Sequence, residues 1–212
     1  MRRHLERIVE IALFSAVIVA LGFRGADLMS RRDGTHAVER YSEWRELEAS
    51  GETSGDGYSS IHLAVFSDYE CSVCRDLDRD VRRILSEPGP KVRWTIFHYP
   101  LSQHSMAIPA AVAARCAAMQ GRFWEFHAAL MASPLPISKR SIESAALVAR
   151  INDPSLFAGC TSRRADTSFL EPARLLGASP NLRGTPLLVV NDEIVRGAPP
   201  MAQLRKLLGR TD

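Results

Sequence analysis

Apolar residues are laid along this chain in two periods. Near the start, an uncharged stretch from Ile11 to Phe23 lies between Arg2, Arg3 and Arg7 on one side and Arg24, Arg31 and Arg32 on the other. Tyr41, Trp44 and Leu47 then share one face of a short helix predicted over 39–49, and Gly51, Gly55 and Gly57 predict a loop. Ile61 to Phe66 is an apolar run of strand length. From Cys71 to Ser86, the residues Val73, Leu77, Val81, Ile84 and Leu85 recur at helical spacing until Pro88-Gly89-Pro90 stops them. Val92, Trp94 and Ile96 alternate through 92–97 as a second strand. A strand–helix–strand unit of this kind joins parallel strands by a right-handed crossover.

The pattern then turns helical. An alanine-rich stretch covers 107–119, a second helix 122–131 and a third 139–150. Asp153-Pro154 places an N-cap before a proline at the first helical position, opening a helix that carries Cys160. Pro172 interrupts whatever helix runs through about 164–177. Strands return at Leu187–Val190 and Glu193–Arg196, paired as a hairpin across Asn191-Asp192, and Pro200–Leu208 is a terminal helix. The order β-α-β, helices, β-β-α predicts an α/β fold over 39–210: one central sheet flanked by helices, with an inserted helical subdomain at about 104–178.

Composition narrows the class. A chain of 212 residues with 46% hydrophobic content buries a core without staples, and it is neither disordered nor a polytopic membrane protein. With 27 basic residues against 24 acidic ones, the charge balance offers no argument for a nucleic-acid partner. The apolar stretch from Ile11 to Phe23 would form a helix of only about 20 Å, short of a hydrocarbon core of about 30 Å. Residues 1–23 therefore read as a signal peptide or an N-terminal membrane anchor, and the charged, aperiodic residues 24–38 as a tether. Export places the four cysteines outside the cytosol, in a periplasm or cell envelope, where disulfides persist.

Cys71-Ser72-Val73-Cys74 follows a strand and opens a helix. Unsatisfied N–H groups and the helix dipole converge there and favour a thiolate. A thiol of pKa about 8.5 is only about 3% ionised at pH 7, whereas one near 6 is about 90% ionised. Cys71, at the helix end, is the attacking sulfur, and Cys74, one turn in, resolves a mixed disulfide. A lone C-x-x-C is also half of a zinc site, but no second pair follows, and His98, His104 and His127 lack ligand spacing. Asp68 and Glu70 oppose a low pKa at Cys71 if ionised nearby, while Arg75 and Arg79 favour it. Cys116 and Cys160 are either a disulfide bridging two helices or two buried free thiols. His104 and Asp68 each read as loop residues or as groups at the reactive centre.

Phe66-Ser67-Asp68-Tyr69-Glu70-Cys71-Ser72-Val73-Cys74 resembles the F-x-D-[FY]-x-C-P-x-C segment of the DsbA-like thioredoxin-fold thiol–disulfide oxidoreductases. The segments His98-Tyr99-Pro100-Leu101, Ala113-Ala114-Arg115-Cys116-Ala117 and Gln120 through His127 are similar to that family too. So is Gly184-Thr185-Pro186 ahead of a strand, and the likeness spans about 44–209. The resemblance implies a cis Pro186 against the active-site sulfurs, with Thr185 offering backbone groups to a substrate chain. It also implies disulfide exchange with cysteine-containing envelope or secreted proteins, a membrane or soluble redox partner, and neither cofactor nor metal. Ser72 stands where the family carries proline, and Val73 where strong oxidants carry histidine, so the redox direction stays open. A non-catalytic membrane-tethered binding module and a metal-binding domain are the competing readings.

Overall fold

A computed structural model of the chain describes residue 41 and residues 43–162, 167–171, 175 and 184–210. The expectations for 1–23 and 24–38 lie outside the described residues, as does Pro172; of the helix expected over about 164–177, only 167–171 and 175 are described, with a 3-10 turn at Ser168–Leu170.

Five strands form one mixed sheet: β1 (Glu52–Ser54), β2 (Ile61–Ser67), β3 (Val92–His98), β4 (Leu187–Val190) and β5 (Glu193–Arg196). Their spatial order is β1-β3-β2-β4-β5. β2 and β3 run parallel, joined through α1 (Ser72–Leu85), while β4 lies antiparallel to β2 and β5 antiparallel to β4. The sequence-predicted β-α-β and β-β-α units thus share one sheet, with β2 at its centre.

The period of two along each strand sorts side chains onto two faces. Leu63 and Val65 of β2, Trp94 and Ile96 of β3, and Leu188 and Val190 of β4 join Leu77, Val81 and Ile84 of α1 in the larger core. Ala64 and Phe66, Phe97, and Leu187 and Val189 point to the opposite face, where they meet Trp44 with Tyr41 and Leu47. Because both faces of β2 are covered, its sequence is a continuous apolar run rather than an alternation.

Two expectations fail at the N-terminal side. The helix predicted over 39–49 is instead two 3-10 turns, Glu43–Arg45 and Glu48–Ser50. The cause lies in the spacing: Tyr41, Trp44 and Leu47 are three apart, the 3-10 period rather than 3.6. The predicted loop after Gly51 contains the edge strand β1, paired antiparallel with β3. β1 is polar and carries no apolar alternation; its register is set by Thr53 Oγ1 against Thr95 Oγ1 at 2.9 Å and by a 2.6 Å ion pair from Arg115 to Glu52. Gly51 is needed for that approach, since a Cβ there would lie 2.7 Å from Thr95 Cγ2.

Between β3 and β4 run α2 (Ala107–Ala118), α3 (Phe123–Ala132), α4 (Lys139–Val148) and α5 (Pro154–Ser162). α4 begins with a capping box between Ser138 and Ser141, and Asp153 Oδ1 accepts the Leu156 N–H at 2.9 Å to start α5. The chain closes with α6 (Met201–Leu207), which sends Leu204 into the larger core.

Candidate active site

β2 ends at the C-terminal edge of the sheet, and a tight turn delivers the chain into α1. The turn is built by one carboxylate. Asp68, fully buried, accepts N–H bonds from Glu70 and Leu101 at 2.8 Å each and meets His104 Nδ1 at 2.8 Å. The Cys71 N–H closes the same turn on the Asp68 carbonyl at 3.2 Å. Cys71 becomes the N-cap of α1, with extended backbone and no side-chain cap bond, so its sulfur stands at the positive end of the helix.

Glu70 is used similarly: its Oε2 accepts the Met106 N–H at 2.5 Å and fixes the start of α2. The two acids that sequence reading set against a Cys71 thiolate are thus bound into loop scaffolding. The arginines behave likewise. Arg75 donates to the Tyr69 carbonyl at 2.9 Å and braces the turn from beneath, while Arg79 pairs with Asp76 on the surface. His104 is held by Asp68 as part of the same loop.

Cys71 and Cys74 are both free thiols but differ sharply. The Cys71 thiol is pushed down to about 5: a hydrogen bond from the Cys74 thiol contributes most, and contact with Thr185 and the backbone N–H groups of Cys74 and Val73 outweigh the opposing effect of burial. Cys74 is only 1% exposed, and burial together with its bond to Cys71 pushes its thiol well up. One sulfur is a ready nucleophile, and the other holds its proton. Ser72 and Val73, between them, face solvent, with Val73 45% exposed.

Thr185 and Pro186 lead into β4, the neighbour of β2; its first residue, Leu187, pairs with Phe66 at the end of β2. The Thr185–Pro186 peptide bond is cis, Gly184 before it has φ +91°, and the Pro186 carbonyl accepts the Gly197 N–H at 2.9 Å. The Thr185 carbonyl lies 3.6 Å from Cys71 Sγ. Its Oγ1 is buried without a hydrogen-bond partner among the described residues. Cys116 of α2 and Cys160 of α5 lie away from this centre and are joined by a disulfide, with Cα atoms 6.0 Å apart.

A feature absent from the sequence reading lies beneath the pair. The Tyr69 hydroxyl meets His127 Nδ1 at 2.9 Å, His127 Nε2 meets Asp78 Oδ1 at 2.9 Å, and Arg82 Nε donates to Asp78 Oδ2 at 2.8 Å. All but Arg82 are buried. Fully buried, His127 is held below its usual range and stays neutral, so it donates Nε2–H to Asp78 and accepts from Tyr69. The available signal was the four-residue step from Cys74 to Asp78, which puts both on one face of α1.

The profile of the family described as Thioredoxin matches residues 50–210. Among solved structures, the thiol-disulfide exchange protein alpha-DsbA2 from Wolbachia pipientis is 23% identical with a TM-score of 0.69, covering 79% of this chain and 91% of its own. A thioredoxin-like oxidoreductase from Silicibacter pomeroyi is also 23% identical, with a TM-score of 0.68 over 77% of this chain and 94% of its own. BdbD from Bacillus subtilis superposes with a TM-score of 0.66 at 16% identity, covering 81% and 95%. These likenesses show the DsbA-like fold. Among curated proteins, the Na(+)/H(+) antiporter NhaA 3 of Salinispora tropica is 37% identical over 79 residues, which are 37% of this chain. The match spans only 12% of that antiporter's length.

Proposed function

The chain belongs to the thioredoxin family, and from that premise we propose that it is a thiol–disulfide oxidoreductase that exchanges disulfides with cysteine-containing proteins outside the cytosol. The observation that carries this reading is the asymmetry of Cys71 and Cys74. A thiol pushed down to about 5 stands 3.6 Å from the Thr185 carbonyl, while its partner one turn away keeps its proton.

In this reading the Cys71 thiolate attacks a substrate disulfide, one substrate sulfur leaves as a thiolate, and a mixed disulfide forms through Cys71. Cys74 then attacks Cys71 and releases the second substrate sulfur, leaving the Cys71–Cys74 disulfide. The reverse sequence oxidises a substrate dithiol. Thr185 and Pro186 form the substrate-facing wall, where the exposed edges of Ser72 and Val73 meet an extended chain with little demand on its sequence. Residues 1–23 and 24–38 supply export or a membrane anchor and a tether. A separate membrane or soluble redox partner resets the dithiol. Among the described residues, no helix is long and apolar enough to cross a membrane.

The test is a Cys74→Ala variant expressed in the full-length chain. Mixed disulfides through Cys71 are expected to accumulate on envelope proteins, and their absence sinks the proposal. Because ionisation of Cys71 stabilises the reduced form, the reduction potential against glutathione is expected between about −270 and about −120 mV, the values of a reductant and a strong oxidant of this chemistry.

A further inference from the structure

The outer face of α1 carries a row of cations that the exchange reaction leaves unused. Ser72, Arg75, Arg79 and Arg82 follow one another at steps of three and four, so they lie along one stripe of the helix. The stripe is one wall of an open groove of about 510 Å³. The end of α3 and the segment after it supply the other wall, with Met131 and Leu135.

The charges of this groove do not balance. Arg75 is 8% exposed, and among the described residues its side chain makes one hydrogen bond, from Nη1 to the Tyr69 carbonyl. Arg82 gives Nε to Asp78 and lies 5.2 Å from the centre of the Trp94 ring, yet its Nη2 is buried without a hydrogen-bond partner among the described residues. Arg79 pairs with Asp76 in solvent, with side chains 71% and 63% exposed, and a surface pair of that kind is weak enough to yield to another carboxylate. Asp76 and Asp78 are the acids that line the groove, against three guanidinium groups. Asp78 is also engaged by His127. Burial and the charge of Arg79 lower the Arg75 guanidinium, and Asp78 and Asp76 do not make up the difference. The groove therefore holds one positive charge more than its own acids neutralise.

We propose that this groove takes an acidic stretch of the substrate protein next to its reactive cysteine, and that Arg75, Arg79 and Arg82 make the protein selective for substrates with that charge. The proposal rests on the oxidoreductase reading and names the substrate class of that same site. Ser72 follows Cys71 directly, so a chain joined to Cys71 enters the groove at that end. From Ser72 to Arg82 the stripe is about 15 Å long at 1.5 Å per residue, the length of about four or five residues of extended chain. Acidic side chains roughly two to five residues from the substrate cysteine are thus in reach of the guanidinium groups, which bind carboxylates through charge-assisted hydrogen bonds. Met131 and Leu135 give the intervening residues apolar contact. Thr185 and Pro186 meet a backbone with little demand on its sequence; the stripe on α1 adds the selection that they lack.

The test uses the reduced full-length protein and synthetic peptides, each closed by one disulfide. One peptide carries a run of glutamates about two to five residues from a cysteine, a second carries the same glutamates about ten residues away, and a third has serines in their place. The rate of reduction of each peptide is divided by its rate with glutathione, which removes the intrinsic reactivity of the peptide. Wild type is expected to reduce the near-acid peptide about tenfold faster than the serine peptide, the low end of what a hydrogen bond to a charged group supplies, and the far-acid peptide at the serine rate. In Arg79→Glu the preference should fall to about threefold or less. Equal rates for the near-acid and far-acid peptides overturn the proposal, because long-range attraction treats them alike, and this comparison needs no variant to fold. A tenfold preference that survives in Arg79→Glu overturns it too. A protein that reduces none of the peptides overturns the oxidoreductase reading, and this proposal with it, whereas one that reduces all of them at the same rate overturns this proposal alone.

Discussion

A thiol near pKa 5 is a thiolate at neutral pH, and the strength of that state depends on one neighbour above all, the Cys74 thiol. Replacing Cys74 with alanine should therefore move Cys71 upward. Iodoacetamide alkylation of Cys71 in wild type is expected to titrate with a midpoint near 5, and in Cys74→Ala at clearly higher pH. The same displacement makes stability depend on pH. The folded value of Cys71, about 5, lies below that of an unfolded thiol, roughly 8.5. An acid depressed by folding stabilises the fold where it is ionised, so its contribution is complete above about 8.5, shrinks as pH falls and vanishes below about 5. Cys74 is shifted the other way and opposes this only above about 8.5, where an unfolded thiol would ionise. The oxidised protein has neither thiol to titrate. The urea midpoint of the reduced form, measured relative to the oxidised form, should thus rise between about pH 5 and 8. A pH-independent difference would contradict the low Cys71 value.

Among the elements, α2 and α5 are held together by the Cys116–Cys160 disulfide, which spans 44 residues of sequence. A loop of that length implies a loss of about 4 kcal/mol when the bond is removed, within a usual range of about 2–5. Cys116→Ala/Cys160→Ala is expected to lower the denaturation midpoint accordingly while leaving Cys71 alkylation unchanged. Elements with strong periodicity were legible in the sequence. β2, α1, β3 and the β4–β5 hairpin lie within a residue or two of their predicted bounds, because buried faces impose apolar spacing on them. β1 was not legible, since its three residues are polar and are recruited by pairing with β3 rather than by burial. At the site, the two cysteines could be placed from their position at a helix start, whereas Thr185 and Pro186 joined them only through the family resemblance. The roles of Asp68 and Glu70 could not, because their partners, Leu101, His104 and Met106, are brought near only by folding. The Asp78–His127 contact joins residues 49 apart and leaves no local trace either.

For the whole molecule, the N-terminal turns act as a clasp across the sheet. Trp44 is 1% exposed, its indole N–H donates to the Asn191 carbonyl at 2.6 Å, and Arg45 pairs with Asp192. Asn191, at φ +56° in the hairpin turn, also ties its N–H and Oδ1 to the His62 backbone. Trp44→Ala should destabilise the fold by about 3–5 kcal/mol, whereas Trp44→Phe, which keeps one aromatic ring but loses the hydrogen bond and part of the buried volume, should cost about 1–2 kcal/mol. Thermal denaturation of the two variants checks this; equal losses would mean that the ring's volume contributes little.

The carbonyl that approaches Cys71 belongs to a residue 114 positions further along the chain. That distance gives the protein a timetable. During synthesis, Cys71 and Cys74 emerge well before Thr185. β4 comes late in the chain, and only when it is seated beside β2 does Thr185 come into place. Until that moment the molecule carries a dithiol with nowhere for a client to land. The substrate-facing wall and the dithiol are therefore completed together, by the closing of β4 on β2.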